Sequence, residues 1–334
     1  MAEAENILFR SQLLERRDRL ESAMETSPET RDLKRLLDEV DAALARMQDG
    51  TYGLCEVCHD AIEPGRLMAD PLTRYCLDHL SASQRRALQQ DLDLAVQIQS
   101  ALLPSREVST CGFEAYYHYQ AAGPVGGDYC DLIPVQNGTK GLLFLAGDVS
   151  GKGVAASLLM SNLHAIFRAL YSAGMPVQEL VARANRVFCE NTMSAFYATL
   201  LCGMASESGQ VEVCNAGHCP PVLVRDGEMI TLSATGLPLG LFCNTEYSVC
   251  RIDMRAGDTL VVYTDGLTEA RNAENEEYGH ERLLKALDGC HRLAAKAVAS
   301  ACITDLQGFV SGSTLADDLT VMVLKRRVEG NRAG

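Results

Sequence analysis

The stretch Leu142–Met160, LLFLAGDVSGKGVAASLLM, passes from an apolar segment through a glycine-rich turn with a lysine into an alanine-rich apolar segment. Strand, Gly-Lys turn and helix in that order are the layout of a phosphate-binding P-loop. The spacing does not complete the motif. G-x-x-x-x-G-K-[ST] needs four residues between its glycines, whereas Gly147 and Gly151 enclose three, and Gly153 stands where a Ser or Thr would hold Mg2+. A carboxylate at Asp148 would also repel phosphates bound in the turn. The stretch therefore predicts a strand that delivers Asp148 to a tight turn, followed by a helix over 153–172.

Working outward, aspartates recur in tight turns or at the ends of β-like runs. They are Asp128 and Asp131 in GPVGGDYCD, Asp265 in VVYTDGLTEARN, and Asp317 and Asp318 in LADDLTV. Any one of these reads as an ordinary turn residue. Strand ends converging on one rim would gather several carboxylates, which is unstable unless cations neutralise them. Hard oxygen donors select Mg2+ or Mn2+, and two such ions can activate a water and clamp a phosphoryl group. HCPPVLVR, His218 to Arg225, fits the H-C-x5-R signature of cysteine-dependent phosphatases, but Pro220 and Pro221 remove two of the N–H donors that loop needs.

From about residue 108 the texture is of short β-like runs: FEAYYHYQ, GLLFLAGDV, ATLLCGMA, QVEVCNA, PVLVRDG, YSVCRIDM, DTLVVYTDG and LTVMVLK. Turn signals such as Asn137-Gly138 and Asp226-Gly227 separate them. Helical stretches fall at 153–172, 176–192 and near 293–311. Few helices between consecutive strands predict an α+β domain with antiparallel sheets.

Before it, residues 5–24 and 28–48 carry helical patterns, with Ser27, Pro28 and Glu29 suited to start the second. They read as a helical hairpin or, equally, a dimerising coiled-coil stalk. Cys55 and Cys58 then form a C-x2-C knuckle, and Cys76 and His79 a C-x2-H knuckle. Two knuckles in one short segment predict a closed, four-ligand structural zinc site, with His59 a weaker competitor. Residues 81–103 form a further helix whose seam is Leu88, Leu92, Ala95, Gln99 and Leu102. It is read as a signalling and dimerisation element or as a helix packed on the next domain.

Two resemblances extend this reading. ALARMQDGTYGLCEVC, the run through Ile62, Arg66, Leu67, Ala69 and Pro71, and YCLDH resemble the TraR/DksA-type zinc finger, with His79 in place of the usual fourth Cys. Some members of that family enter an RNA polymerase channel through a long coiled coil with an acidic tip. The hairpin here is short, and METSPETRD lacks such a tip.

The segment 110–326 resembles the type 2C metal-dependent Ser/Thr phosphatases of the SpoIIE/RsbU branch. The motifs run in family order: GGDYCD, GDVSGKGVAASLLM, FYATLLCG, NAGHCPPVLV, GLPLGL, YTDGLTEARN and ADDLTVMVL, with IQSALLP just before them. That resemblance implies two packed antiparallel sheets flanked by helices, with metals at one end. It implies that Asp128 binds one ion, that Asp148 bridges two with the Val149 carbonyl beside it, and that Asp265 and Asp317 hold the second. Asp131 and Asp318 are supporting acids in the metal set, and the choice between Asp317 and Asp318 as ligand stays open. Ser150 stands where eukaryotic relatives place a proton-donating His. His164 and His218 read as core or turn residues rather than catalysts.

The 334 residues carry a formal charge of −14, and both the first 107 residues and the remainder are net acidic, which argues against binding a nucleic-acid backbone. No secretion signal and no apolar run of membrane-spanning length is read, and the 13 cysteines look mostly like reduced core residues. The expectation is a cytoplasmic, homodimeric phosphatase with two Mn2+ or Mg2+ ions and one Zn2+. Its domains are a hairpin (1–48), a finger (49–80), a helical linker (81–107) and a phosphatase domain (108–328). By branch resemblance its substrate is a phosphorylated STAS-type anti-sigma-factor antagonist. The rival readings are a transcription regulator that binds RNA polymerase through the finger, and a non-catalytic scaffold.

Overall fold

A computed structural model describes residues 3–26, 31–80, 82–135, 140–171, 175–193, 195–311 and 315–328. The chain divides into two compact units, one ending at Asp91 and one beginning at Leu92.

In the first unit, α1 (Glu3–Thr26) and α2 (Arg31–Gln48) form the hairpin. The expected start of the second helix at Ser27, Pro28 and Glu29 lies outside the described residues, as does the Asn137-Gly138 turn. The three- and four-residue spacing along α2 turns Val40 and Ala43 inward against Phe9 and Leu13 of α1. Tyr52, Cys55, Ile62, Leu67 and Cys76 complete the same core, so the hairpin and the finger with its short helix α3 (Pro64–Ala69) are built around one interior. The ring centroids of Phe9 and Tyr52 lie 6.0 Å apart, and the Tyr52 hydroxyl donates to the Pro71 carbonyl at 2.9 Å.

Helix α4 (Ala82–Leu102) leads into the second unit. There β1 (Glu107–Thr110), β2 (Phe113–Gln120), β7 (Val222–Arg225), β8 (Glu228–Thr231), β10 (Thr259–Tyr263) and β11 (Leu319–Arg326) make a sheet in the order β1-β2-β11-β10-β7-β8. The second sheet has β3 (Tyr129–Val135), β4 (Gly141–Val149), β5 (Ala198–Ser206), β6 (Gln210–Ala216) and β9 (Cys250–Asp253), in the order β3-β4-β5-β6-β9. Every pairing between these strands is antiparallel.

The continuous apolar run of β4 follows from its place. Leu142, Phe144 and Ala146 face the core between the sheets, where Tyr117 of β2 and Leu260 of β10 meet them. Leu143 and Leu145 face the other way, onto α5 (Gly153–Leu170) and α6 (Val177–Asn191) through Leu163, Phe167 and Leu180. A strand covered on both faces has no polar side to show. The six-stranded sheet is likewise covered by α8 (Gly279–Leu287) and α9 (Ala295–Val310), where Leu283, Val298 and Leu306 pack on Val261 and Val323.

Three strands were absent from the expected set. β1 and β8 are short edges, and β3 is hidden in the sequence by Asp131 and Pro134. Pro134 is tolerated because β3 is an edge of its sheet and has no neighbour to receive a ladder bond on that side. The expectation that no segment has membrane-spanning length is corrected by α5, whose 18 residues are long and apolar enough by composition. Its Met160, Leu163, Ile166 and Phe167 are buried in one core with Leu143, Leu145 and Leu200 of the sheet.

Gly203 of β5 lies directly opposite Phe144 of β4, and a Cβ there would run into the Phe144 ring. Gly203→Ala is expected to cost about 1–3 kcal/mol. It should lower the urea midpoint without changing the slope of the transition.

Candidate active site

The strand pairing gathers the carboxylates. Tyr129 of β3 pairs with Gly147 of β4, so Asp128 and Asp148 leave neighbouring strand ends of one sheet. Tyr263 of β10 pairs with Val321 of β11, so Asp265 and the Asp317–Asp318 turn do the same in the other. The Asp128 side chain ties the two sheets at this point. Oδ2 of Asp128 accepts from the hydroxyls of Thr264 at 2.9 Å and Thr320 at 2.6 Å. Its Oδ1 is buried and has no hydrogen-bond partner among the described residues.

The electrostatics are those of crowded like charges. Burial and then the Asp148 carboxylate push Asp128 well above the usual carboxyl range, against the two threonine bonds. Burial, then Asp265, Asp317 and Asp318, push Asp148 up to about 7, with Lys152 opposing. Asp265, the first residue of the short helix α7 (Asp265–Thr268), is raised by burial and by Asp317, while nearby backbone N–H groups hold it down.

The two acids of LADDLTV behave differently. Asp318 spends both oxygens on backbone: Oδ1 accepts from Ala122 at 2.8 Å and Oδ2 from Gly127 at 2.6 Å, which anchors the loop before Asp128. Asp317 is half exposed and pairs with Lys152 at 2.9 Å, and the Lys152 ammonium also donates to the Ala316 carbonyl at 2.7 Å. Lys152, to which the sequence assigned no role, therefore joins the turn after β4 to the turn before β11. The Val149 carbonyl lies toward Gly127, 3.0 Å from where a Cβ of that glycine would stand.

Asp131 does not join this group. It lies on the α5 side of β3, where Arg168 donates to both of its oxygens at 2.7 Å. Alternation along a strand explains the correction: Asp131 shares its face with Tyr129, beneath α5. His164 lies near the same pair, with Nε2 3.9 Å from Asp131. His218 is buried, its Nδ1 is 3.0 Å from the Thr199 hydroxyl, and burial takes it down to about 4. The Ser150 hydroxyl is engaged by Tyr197, whose N–H donates to it at 3.0 Å while the Ser150 N–H donates to the Tyr197 carbonyl at 2.9 Å.

Gln99 was read only as a seam position of α4. Its side chain donates to the Gly126 carbonyl at 2.7 Å and accepts from the Gly126 N–H at 3.1 Å, holding the loop that presents Asp128. A Cβ on Gly126 would meet the Asp318 carboxylate at 2.5 Å, so this loop needs glycine for close approach.

In the other unit, one ligand atom each from Cys55, Cys58, Cys76 and His79 lies within 4.8 Å of the rest. The Cys58 and Cys76 sulfurs are 3.8 Å apart, and Cys76 Sγ is 3.2 Å from His79 Nδ1. A tetrahedron with Zn–S near 2.3 Å has sulfur–sulfur edges of about 3.8 Å, so the donor set fits zinc. Burial works against ionisation of Cys55, but the N–H groups of Cys58, Cys76 and Val57 outweigh it and bring the thiol to about 6.

Residues 138–327 match the model of the stage II sporulation protein E family. The chain belongs to the SpoIIE family. Its second unit has the PP2C fold. Residues 50–78 match the prokaryotic DksA/TraR C4-type zinc finger, and here His79 takes the fourth position. The phosphoserine phosphatase RsbU of Bacillus subtilis is 24% identical over 247 residues, covering 73% of this chain and 72% of RsbU. Protein IcfG of Synechocystis is 26% identical over 267 residues, but those cover 41% of IcfG against 71% of this chain. The SiaA-PP2C domain of Pseudomonas aeruginosa superposes with a TM-score of 0.64 at 19% identity, covering 73% of this chain and 98% of that domain.

The raised carboxyls set a pH dependence. The metal-free fold binds the Asp148 proton more tightly than the unfolded chain does. That stabilisation is whole below the ordinary carboxyl pKa of about 3.9. It is lost as pH rises through about 7. Metal-free protein is therefore expected to melt lower at about pH 8 than at about pH 5.5. Asp148→Asn should melt higher than the parent at the upper pH, and equal melting temperatures there would contradict the argument.

Proposed function

We propose that this chain is a metal-dependent protein-serine/threonine phosphatase. Asp128, Asp148, Asp265 and Asp317, with the Val149 carbonyl, would hold two Mn2+ or Mg2+ ions. The observation that carries this is the buried, unpartnered Oδ1 of Asp128 beside carboxylates that repel it. Such ions supply Lewis acidity and an activated water for in-line attack on a phosphoryl group.

The chain's own residues do the rest. Thr264 and Thr320 fix the Asp128 carboxylate, so that its free oxygen is aimed in one direction. Asp318 and Gln99 hold the loop before Asp128, and are positioning residues rather than ligands. Lys152 is exposed and offers a cation next to Asp317, where an incoming phosphate would meet otherwise negative charge.

The substrate we infer is phosphoserine or phosphothreonine on a STAS-type anti-sigma-factor antagonist, the class that the SpoIIE/RsbU resemblance implies. Cys55, Cys58, Cys76 and His79 would hold one structural zinc that orders a regulatory unit. A homodimer is supported by Leu88, Leu94 and Ile98, which stay exposed along α4.

Two experiments test this. Purified protein should release phosphate from a phosphoserine protein only with Mn2+ or Mg2+, and Asp148→Asn and Asp265→Asn should each lose at least roughly 100-fold in kcat/KM. Metal-independent release, or none from any phosphoprotein, would refute the reading. Elemental analysis should find one zinc per chain that survives removal of the labile ions, and Cys76→Ser should lose it along with the protease resistance of the first unit.

A further inference from the structure

We propose that Cys189 and Cys243 form a reversible disulfide that clamps the segment Gly240–Cys243 onto α6. The anchor is Asn185, which is fully buried one helical turn before Cys189. Its Oδ1 accepts from the Gly240 N–H at 2.9 Å and its Nδ2 donates to the Phe242 carbonyl at 2.8 Å. These two bonds draw the segment across α6 and set Cys243, the next residue, beside Cys189. The Cys189 sulfur lies 4.0 Å from Asn185 Oδ1, the same atom that holds Gly240, and the Cys243 thiol is near enough to raise the pKa of Cys189.

Two thiols held on either side of one anchoring side chain can reach the S–S distance of about 2.0 Å by side-chain rotation and a local closure of the segment. Access separates this pair from the other close one in the same sheet and helix layer. Cys202 and Cys214 face each other across β5 and β6, but both are fully enclosed. Cys243 is exposed and Cys189 half buried, so a soluble oxidant reaches one sulfur directly.

The oxidant class is a low-molecular-weight disulfide. The Cys243 thiolate attacks one of its sulfurs, forming a mixed disulfide and expelling one small thiolate. Cys189 then gives its proton to solvent and attacks the Cys243 sulfur, expelling the second small thiolate. Two electrons and two protons leave the pair, and the small disulfide becomes two thiols. Burial, and then the neighbouring Cys243 thiol, push Cys189 up to about 11, which makes it a poor first nucleophile and leaves it the second, intramolecular attack, where proximity compensates for its small thiolate fraction.

The clamp reaches toward the acids. Gly240, at φ +90°, packs against the backbone of Phe196 and Tyr197. Tyr197 exchanges two hydrogen bonds with Ser150, two residues after Asp148. Oxidation would fix one wall of the turn that follows β4.

The test uses the full, zinc-loaded chain treated with oxidised glutathione, then alkylated and digested without reduction. The expected product is a peptide pair linked through Cys189 and Cys243 that dithiothreitol releases and that Cys243→Ser does not form. Amide exchange over 240–246 should slow on oxidation in the parent and not in that variant. Full alkylation of Cys189 in the oxidised parent, or Cys243 recovered only as a glutathione adduct, would overturn the proposal.

Discussion

Carboxylates held out of water next to one another are the costliest feature of this molecule, and the sandwich is arranged around them. Desolvation and mutual repulsion both favour the protonated form, and both grow as the sheets close. The fold answers with hydrogen bonds where it can. Thr264 and Thr320 take one oxygen of Asp128, the Ala122 and Gly127 amides take both oxygens of Asp318, and Lys152 takes Asp317. What is left over is the second oxygen of Asp128 and the Asp148 carboxyl, which burial and its acidic neighbours push up to about 7. This residue of unsatisfied charge separates the site from a structural ion pair such as Asp131–Arg168, where every charge is answered.

The two units solve the problem of stability differently. The second has three apolar layers, two between sheet and helices and one between the sheets. The first has only a modest core, in which Cys55 and Cys76 are counted among the buried side chains. A unit of that size has little apolar area to hide, and a cluster of four ligands in its interior is the kind of cross-link that small domains use in its place.

Much of this was legible in the sequence, and the misses have physical reasons. Gly147, Asp148 and the alanine-rich segment after them read correctly as strand, turn and helix because each local preference agrees with the fold. The cluster of Cys55, Cys58, Cys76 and His79 was legible because ligand spacing is itself the signal. Asp131 misled because a turn-like GGDYCD conceals the strand in which it sits, and strand alternation then sends it to the far face. The roles of Lys152 and Gln99 were hidden because their partners, Asp317 and Gly126, are distant in sequence, and no periodicity announces a single long-range contact.

Gln99 also shows how narrowly one position can be specified. It both gives and receives a hydrogen bond at the same backbone residue, with the reach of a five-carbon amide from the helix. Glutamate would bring two acceptors to a carbonyl, lysine or arginine would bring only donors to an N–H, and asparagine is a methylene too short. No other genetically encoded side chain offers that pair of functions at that length. Any substitution of Gln99 gives up at least one of the two bonds that hold the loop before Asp128.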